Sequence, residues 1–343
     1  MSKCALITGG AGFLGSHVAD HCLKRGQSVV VLDDLSGGFE SNIPHGAQFV
    51  KGSVTDDLLV RRLFDQYQFD YVYHLAAYAA EGLSHFIRRF NYTNNLLGTV
   101  TVLNAAVRAL RVERFVFTSS IAVYGSAQVP MDEDIQPRPE DPYGISKYAA
   151  ELDIECAHRL FGLDYTIFRP HNVYGERQNI GDRYRNVIGI FIKQLMNNEP
   201  MSVFGDGLQT RAFTHVDEVA PLIAQCVEVP DSSNNVFNVG ADTPHTVIEV
   251  AGMVADAFGV KASITHLPAR QEVVHAYSVH SKAARVFGKP PAVSLTEGVR
   301  RMVAWAKSTG PITGQVFGDI EIFDKLPAAW AALSVSAKGE GSA

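Results

Sequence analysis

The chain has 343 residues, 46 % hydrophobic and 19 % charged, with 29 glycines and a net charge of -6. This is a globular composition, sufficient for one large domain or two joined ones, and it excludes a disordered or fibrous chain. No basic block offers a footprint for nucleic acid, and no run of about 18 apolar residues offers a membrane span.

The four cysteines, at 4, 22, 156 and 226, show no metal-ligand spacing and no disulfide framework; three lie in apolar contexts and read as buried thiols. The opening "MSKCALITGGAG" enters a strand and a glycine turn directly, without separate charged and apolar leader regions. The expected location is cytoplasmic, with no nucleic-acid or membrane partner and no metal.

In chain order, "CALITGGAGFLGSHVADHCLKRG" reads as strand, glycine turn and helix, and "SVVVLDDLSGG" as a short apolar strand ending in two aspartates. "AQFVKGSVTD", "DYVYHLAA", "RFVFTSS" and "DYTIFRPHNVYG" supply further strands, with helical patterns over 57–67, 87–110 and 144–161 between them. Apolar strands alternating with helices predict an α/β fold, a Rossmann-type parallel sheet covered on both faces. Residues 1–180 are expected to form this dinucleotide-binding unit. Residues 181–330 read as a smaller, mixed substrate-binding unit with some return to the sheet, and 331–343 as a disordered tail.

"TGGAGFLG" places Gly9, Gly12 and Gly15 between the first strand and the first helix. Glycines there let backbone N–H groups approach a pyrophosphate at a helix amino end, so Phe13 and Leu14 join the candidate cofactor contacts. Asp33 follows Gly15 by 18 residues at the end of the second strand. Its carboxylate suits two ribose hydroxyls. With Asp34 beside it and no arginine in Leu35, Ser36 or Gly37, a 2′-phosphate is disfavoured, and the expected cofactor is NAD. Leu75, Ala76 and Ala77 end a strand with small residues against which a cofactor can lie, and Asn95 can bridge strand ends.

In "DPYGISKYAAE", Tyr143 precedes Lys147 by four residues, with a helix expected from about Ser146 and Tyr143 in its first turn or just before. If the helix begins early enough, both side chains share a face. An ammonium beside a phenol favours the phenolate and makes it a base.

"TGGAGFLG", "FVFTSSIAVYG", "PYGISKYAAE", "RPHNVYG" and "GDGLQTRAFTHVDEVA", in this order, resemble the extended short-chain dehydrogenase/reductases, and within them the NAD-dependent nucleotide-sugar epimerases of the UDP-glucose 4-epimerase type. The resemblance covers roughly residues 3–305. It implies Ser120, Tyr143 and Lys147 as the catalytic set, with Lys147 also holding the nicotinamide ribose. It implies a UDP-sugar gripped by Asn172, Asn186, Val187, Phe204, Arg211 and Arg270, and tightly bound NAD that takes a hydride from C4′ and returns it to the other face of a rotated 4-ketosugar. It also implies a homodimer through the helices near 87–110 and 144–161.

Ile121 and Ala122 stand where dehydratases of the family carry an acid pair, and decarboxylases keep a glutamate at the second place. Neither side chain exchanges a proton, which points away from both activities. Other departures are Ser53 for an aspartate near adenine, where the Val54 backbone remains, and Ala79 for a lysine. Ala212 and Val279 stand where aspartates are common, and the segment after Arg270 is one residue short. That shortening leaves either Ala276 or Tyr277 beside the sugar, so glucose/galactose, N-acetylhexosamine and glucuronate forms all stay open. Arg177, Arg183 or Arg185 could pair with a uronate. His171, His215 and His74 read as pocket-wall or structural histidines. The competing readings are a nucleotide-sugar dehydrogenase or reductase with exchangeable NAD, and a non-catalytic NAD-binding scaffold.

Overall fold

The computed structural model describes residues 2–126, 129–182, 184, 186–269, 273–310, 320–328 and 330. The first half runs β1 (Cys4–Thr8), α1 (Phe13–Lys24), β2 (Ser28–Asp33), β3 (Gln48–Lys51), α2 (Asp57–Tyr67), β4 (Tyr71–His74), α3 (Arg88–Asn91), α4 (Gly98–Ala109), β5 (Arg114–Thr118), α5 (Pro142–Phe161) and β6 (Tyr165–Pro170). The second half adds β7 (Val173–Tyr174), α6 (Val187–Met196), β8 (Met201–Phe204), β9 (Thr210–Ala212), β10 (Thr214–His215), α7 (Ala220–Gln225), β11 (Asn235–Val239), β12 (Pro244–Thr246), α8 (Val247–Phe258), β13 (Ile264–Leu267), β14 (His275–Ala276), α9 (Ser281–Phe287) and α10 (Leu295–Thr309).

Among the described residues, seven parallel strands form the main sheet in the order β11-β6-β5-β4-β1-β2-β3. The strands read as unbroken apolar runs because both faces are covered. Ile7, Val31, Phe168 and Phe237 pack with Val18 and Cys22 of α1 and Ile223 of α7. On the other face, Leu6, Leu32, Phe115 and Phe117 meet Val60 of α2, Val102 of α4 and Ile154 of α5. The strand order reverses between β1 and β4, and the crevice at their carboxyl ends is where such sheets bind ligands. A separate core gathers Phe191, Val203, Val250, Val254, Val299 and Met302 from α6, β8, α8 and α10.

Two helix expectations need correction. α5 begins at Pro142, not near Ser146, because Asp141 caps it by accepting from Gly144 N–H at 3.0 Å and Pro142 occupies the first turn. The helical stretch over 87–110 is not uniform: a π-helical turn, Tyr92–Leu97, separates α3 from α4. Cys22 and Cys226 are buried, Cys4 is half-buried and Cys156 is exposed. The tail expected over 331–343 lies outside the described residues.

Candidate active site

A cleft of about 2150 Å³ opens along the carboxyl edge of the sheet. At one end stands the glycine turn. Gly9 has a φ of +72°, and a Cβ there would lie 2.8 Å from the Ala76 backbone. A Cβ on Gly15 would come within 2.1 Å of the Gly9 carbonyl oxygen. The turn therefore holds the start of α1 against the end of β4, with Gly12 at its amino cap and Phe13 and Leu14 opening onto the cleft. Free N–H groups at such a helix start face anions favourably.

Asp33 is buried at the tip of β2 and accepts from Ala11 N–H at 3.0 Å and Leu35 N–H at 2.8 Å. Each oxygen keeps acceptor capacity for a hydroxyl. Burial pushes its carboxyl above the usual range against those two bonds. Asp34, Val54, Leu75, Ala76 and Ala77 line the same end.

Two expected cofactor residues, Ser53 and Asn95, are not among the described residues that line this cleft. The Ser53 hydroxyl turns to Thr55, 2.9 Å from its Oγ1, and Gly52 and Val54 form the surface instead. Asn95 is buried; its Oδ1 accepts from Tyr78 N–H at 2.8 Å, and its Nδ2 donates to Tyr78 O and to Asn91 Oδ1. It clips the chain after β4 onto the helices. Its neighbour Asn94 faces the cleft.

In the middle of the cleft, Ser120, Tyr143 and Lys147 come together. Ser120 follows β5 in extended conformation and caps a short 3-10 turn, Ile121–Tyr124, its Oγ accepting from Ala122 N–H at 3.1 Å. The hydroxyl proton remains available to donate into the cleft. Tyr143 and Lys147 lie one turn apart near the start of α5, both buried. The Lys147 ammonium stands 6.0 Å from the centre of the Tyr143 ring and 4.8 Å from that of Phe117, and donates to Thr118 O at 2.8 Å. Burial pulls its pKa down to about 7, with Glu151 one turn further along opposing the shift. Such a lysine gains from any anion placed beside it.

Thr118 Oγ1 and Ser119 Oγ are buried on this wall without a protein hydrogen-bond partner. Together with the glycine cradle and Asp33, these unspent groups fit a dinucleotide. Ile121 and Ala122 are buried, and neither is ionisable. Behind the wall, Arg169 grips Glu151 through Nε at 3.0 Å and Nη2 at 2.5 Å, and donates to the Tyr124 hydroxyl at 2.7 Å. This buried set ties α5 to β6. His74 is buried between Thr8 and Thr99 hydroxyls at 2.7 and 2.9 Å, and burial draws its pKa down to about 3.

The far end of the cleft is built by the second half. Asn172 follows β6 with a φ of +40°. Asn186 caps α6, accepting from Ile188 N–H at 2.9 Å and donating to Val173 O at 3.0 Å, so Val187 opens the helix at the cleft. Phe204, at the end of β8, faces the same space. Arg211 on β9 donates to Thr210 O, Val273 O and Val274 O, at 2.9, 2.5 and 3.0 Å. Arg270, Arg183 and Arg185 lie outside the described residues. Arg177 pairs with Asp20 at 2.6 Å. Ala276, paired with Arg211, lines the cleft, and Tyr277 is not among the described lining residues.

One wall was not anticipated. Beyond α10, residues 320–328 and 330 return to the cleft as a strap. Glu321 accepts from Arg89 N–H at 2.8 Å and Phe90 N–H at 2.7 Å at the start of α3, and Glu321 N–H donates to Phe86 O. Trp330 packs edge-on against Phe86 and Tyr184 and covers Gly82. No group of three or more His, Cys, Asp or Glu among the described residues is arranged to hold a metal, and no described helix is long and apolar enough to cross a membrane.

A switch-point cleft with a glycine turn, an acid at the end of β2 and a buried Tyr-x-x-x-Lys pair defines an extended short-chain dehydrogenase/reductase. The model of the NAD dependent epimerase/dehydratase family matches residues 5–240, and the chain belongs to that family, whose members act on nucleotide sugars. It is 33 % identical over 312 residues to UDP-glucose 4-epimerase of Mycolicibacterium smegmatis, covering 88 % of this chain and 98 % of that protein. The structure of UDP-glucose 4-epimerase with UDP-glucose from Thermotoga maritima superposes with a TM-score of 0.85 at 33 % identity, over 89 % of this chain and 99 % of that one. The Thermus thermophilus UDP-glucose 4-epimerase complex with NAD gives 0.82 at 31 %, over 88 % and 98 %.

Proposed function

We propose that the protein is an NAD-dependent epimerase that inverts C4′ of a UDP-sugar. The observation that carries this is the wall formed by Ser120, Tyr143 and Lys147, with apolar Ile121 and Ala122 beside it. Relatives of similar fold named for this activity, one solved with UDP-glucose and another with NAD, support the ligand assignments.

NAD supplies the hydride acceptor and donor when bound. Gly9, Gly12, Phe13, Leu14 and Gly15 hold its diphosphate, and Asp33 the adenosine ribose. Asp34, Val54 and Leu75–Ala77 complete the trough. Lys147 holds the nicotinamide ribose and keeps the Tyr143 phenol ready to lose its proton. Ser120 donates to the sugar 4′-oxygen, and Tyr143 removes the hydroxyl proton and later restores it. Arg211, together with Arg270, takes the diphosphate of the substrate by fork geometry. Asn172, Asn186, Val187 and Phe204 hold the uridine.

The nucleotide is thus gripped by many groups, while the sugar meets few and can turn over. Oxidation at C4′ leaves an acidic C5′ hydrogen, but Ile121 and Ala122 offer no base or acid to eliminate water. Ala276 rather than Tyr277 on the wall supports room for a substituted sugar such as an N-acetylhexosamine. The exposed Leu97 before α4 and Leu152 and Leu160 of α5 support a homodimer through these helices.

The test is incubation with UDP-, dTDP- and GDP-sugars, read by mass and stereochemistry. A product of unchanged mass inverted at C4′ is expected from UDP-sugars, with NAD retained through dialysis. Loss of water or carbon dioxide would overturn the argument from Ile121 and Ala122. Stoichiometric NADH accumulation would favour a dehydrogenase.

A further inference from the structure

Where the cleft turns from the sheet toward the substrate-binding half, two histidines and an aspartate form a chain. His171 Nδ1 lies 2.9 Å from Ala212 O. His171 Nε2 lies 2.9 Å from His280 Nε2. His280 Nδ1 lies 2.6 Å from Asp242 Oδ1. The two rings are 5.0 Å apart between centres and inclined by 27°, compatible with an edge-on N–H···N contact. Gly240 makes room for them: a Cβ there would sit 2.3 Å from His171 Nε2. Ser278 is buried, with its Oγ 3.0 Å from His280 Nε2.

Proton counting shows what this chain requires. A carbonyl and a carboxylate only accept, so the Ala212 and Asp242 contacts each need an N–H. The contact between the rings needs a third. Two neutral imidazoles carry two N–H groups between them. The set is complete only when the pair holds one extra proton, as an imidazolium beside the Asp242 carboxylate. Without it, one contact becomes lone pair against lone pair. Asp242, the charged acceptor at 2.6 Å, keeps its N–H. The contact surrendered is then the one at Ala212 or the one between the rings.

The chain joins three pieces of the substrate wall. His171 precedes Asn172, which is held at a φ of +40°. Ala212 follows Arg211. Ser278 and His280 continue the segment from Ala276, beside the Val273 and Val274 carbonyls that accept from Arg211. We propose that His171, His280 and Asp242 are positioning residues that fix Arg211 and Asn172 for the diphosphate of the nucleotide sugar when the chain carries its extra proton. The proposal rests on the nucleotide-sugar reading above.

Asp242 is the charged group that acts on His280, and His280 and Asp242 are those that act on His171. Burial draws both imidazoles below their ordinary value, His171 to about 3, and Asp242 opposes this at both rings. The extra proton is therefore held on the acid side of neutrality, and a bound diphosphate favours its uptake by linkage. Binding should be tighter at low pH and weaken as pH rises.

The experiment is calorimetric titration of the NAD-loaded enzyme with UDP-glucose between about pH 4.5 and about pH 8, a window that reaches below the ordinary imidazole range because burial lowers both rings. The diphosphate diester takes up no proton there. Wild-type affinity is expected to weaken about fivefold toward alkaline pH, the scale of one hydrogen bond. The Asp242→Asn variant should bind at the weaker level throughout, with the pH dependence flattened and kcat at saturating UDP-glucose unchanged. Asp242 has a side chain 75 % exposed, so the fold tolerates the change; H280Q gives an independent second reading and should also lose the pH dependence. A wild-type affinity that does not vary with pH, or a D242N enzyme that keeps the wild-type dependence, overturns the proposal. Absence of UDP-glucose binding at every pH overturns instead the nucleotide-sugar reading beneath it.

Discussion

Replacing Glu151 by alanine removes one half of the buried pair that fixes α5 to β6. The side chains of Glu151 and Arg169 are only 2 % and 5 % exposed, and two hydrogen bonds, at 3.0 and 2.5 Å, join them. In E151A the guanidinium stays buried with the Tyr124 hydroxyl as its hydrogen-bond acceptor and without its hydrogen-bonded counter-charge. Breaking such a pair from one side costs about 3–5 kcal/mol, a large part of the roughly 5–15 kcal/mol that holds a domain together. Urea unfolding at fixed NAD concentration should show the midpoint falling by that equivalent with the slope unchanged. The double variant E151L/R169M should recover most of the loss, since an apolar pair of similar volume leaves no orphaned charge. Glu151 also favours the charged form of Lys147, so E151A should lose activity more at neutral pH than at lower pH. A loss below about 1 kcal/mol would refute the view that this pair is dry and tightly coupled, since that is the scale of an exposed pair.

Three shorter expectations follow from the same geometry. Folded Lys147 titrates near 7 against 10.5 for the ordinary side chain, so between these values the unfolded chain binds a proton that the folded one does not. Its contribution to stability therefore rises with pH across that window and is flat below it; unfolding midpoints of NAD-free protein should rise more steeply with pH in wild type than in K147M, and equal slopes would contradict the burial argument. Gly15→Ala should abolish NAD retention, because a Cβ there meets the Gly9 carbonyl oxygen at 2.1 Å; retained NAD in the purified variant would contradict the cradle. Trp330→Ala should loosen the strap and raise KM for the UDP-sugar while NAD content stays at the wild-type level. A loss of NAD alone would place the strap at the wrong end of the cleft.

The sequence made the cofactor end legible because its signals are local. A glycine turn between a strand and a helix, and an acid at the next strand end, are each set within a few residues. The Asp141-Pro142 start of α5 carries a local signal too, an acceptor side chain followed by a residue that needs no N–H, but the expectation of a start near Ser146 passes over that signal. Asn94 and Asn95 were not separable, because a π-helical turn changes which residue of a helix faces a given side, and hydrophobic period does not reveal it. Ser53 keeps a motif position while its hydroxyl is spent on Thr55. The strap was hidden for another reason. Glu321 meets Arg89 and Phe90 across more than 230 residues, a contact no spacing rule can anticipate. The His171–His280 pairing spans 109 residues in the same way.

The central claim is that Tyr143 carries the proton of the sugar alcohol while the cofactor stays in place. The direct measurement is C4′ epimerisation of UDP-glucose by the Tyr143→Phe variant, with NAD content and UDP-glucose affinity determined on the same preparation. The account predicts intact NAD, near-normal affinity and a rate lower by about 100-fold or more, the contribution of a positioned acid–base group. Inversion at the wild-type rate by that variant would contradict it.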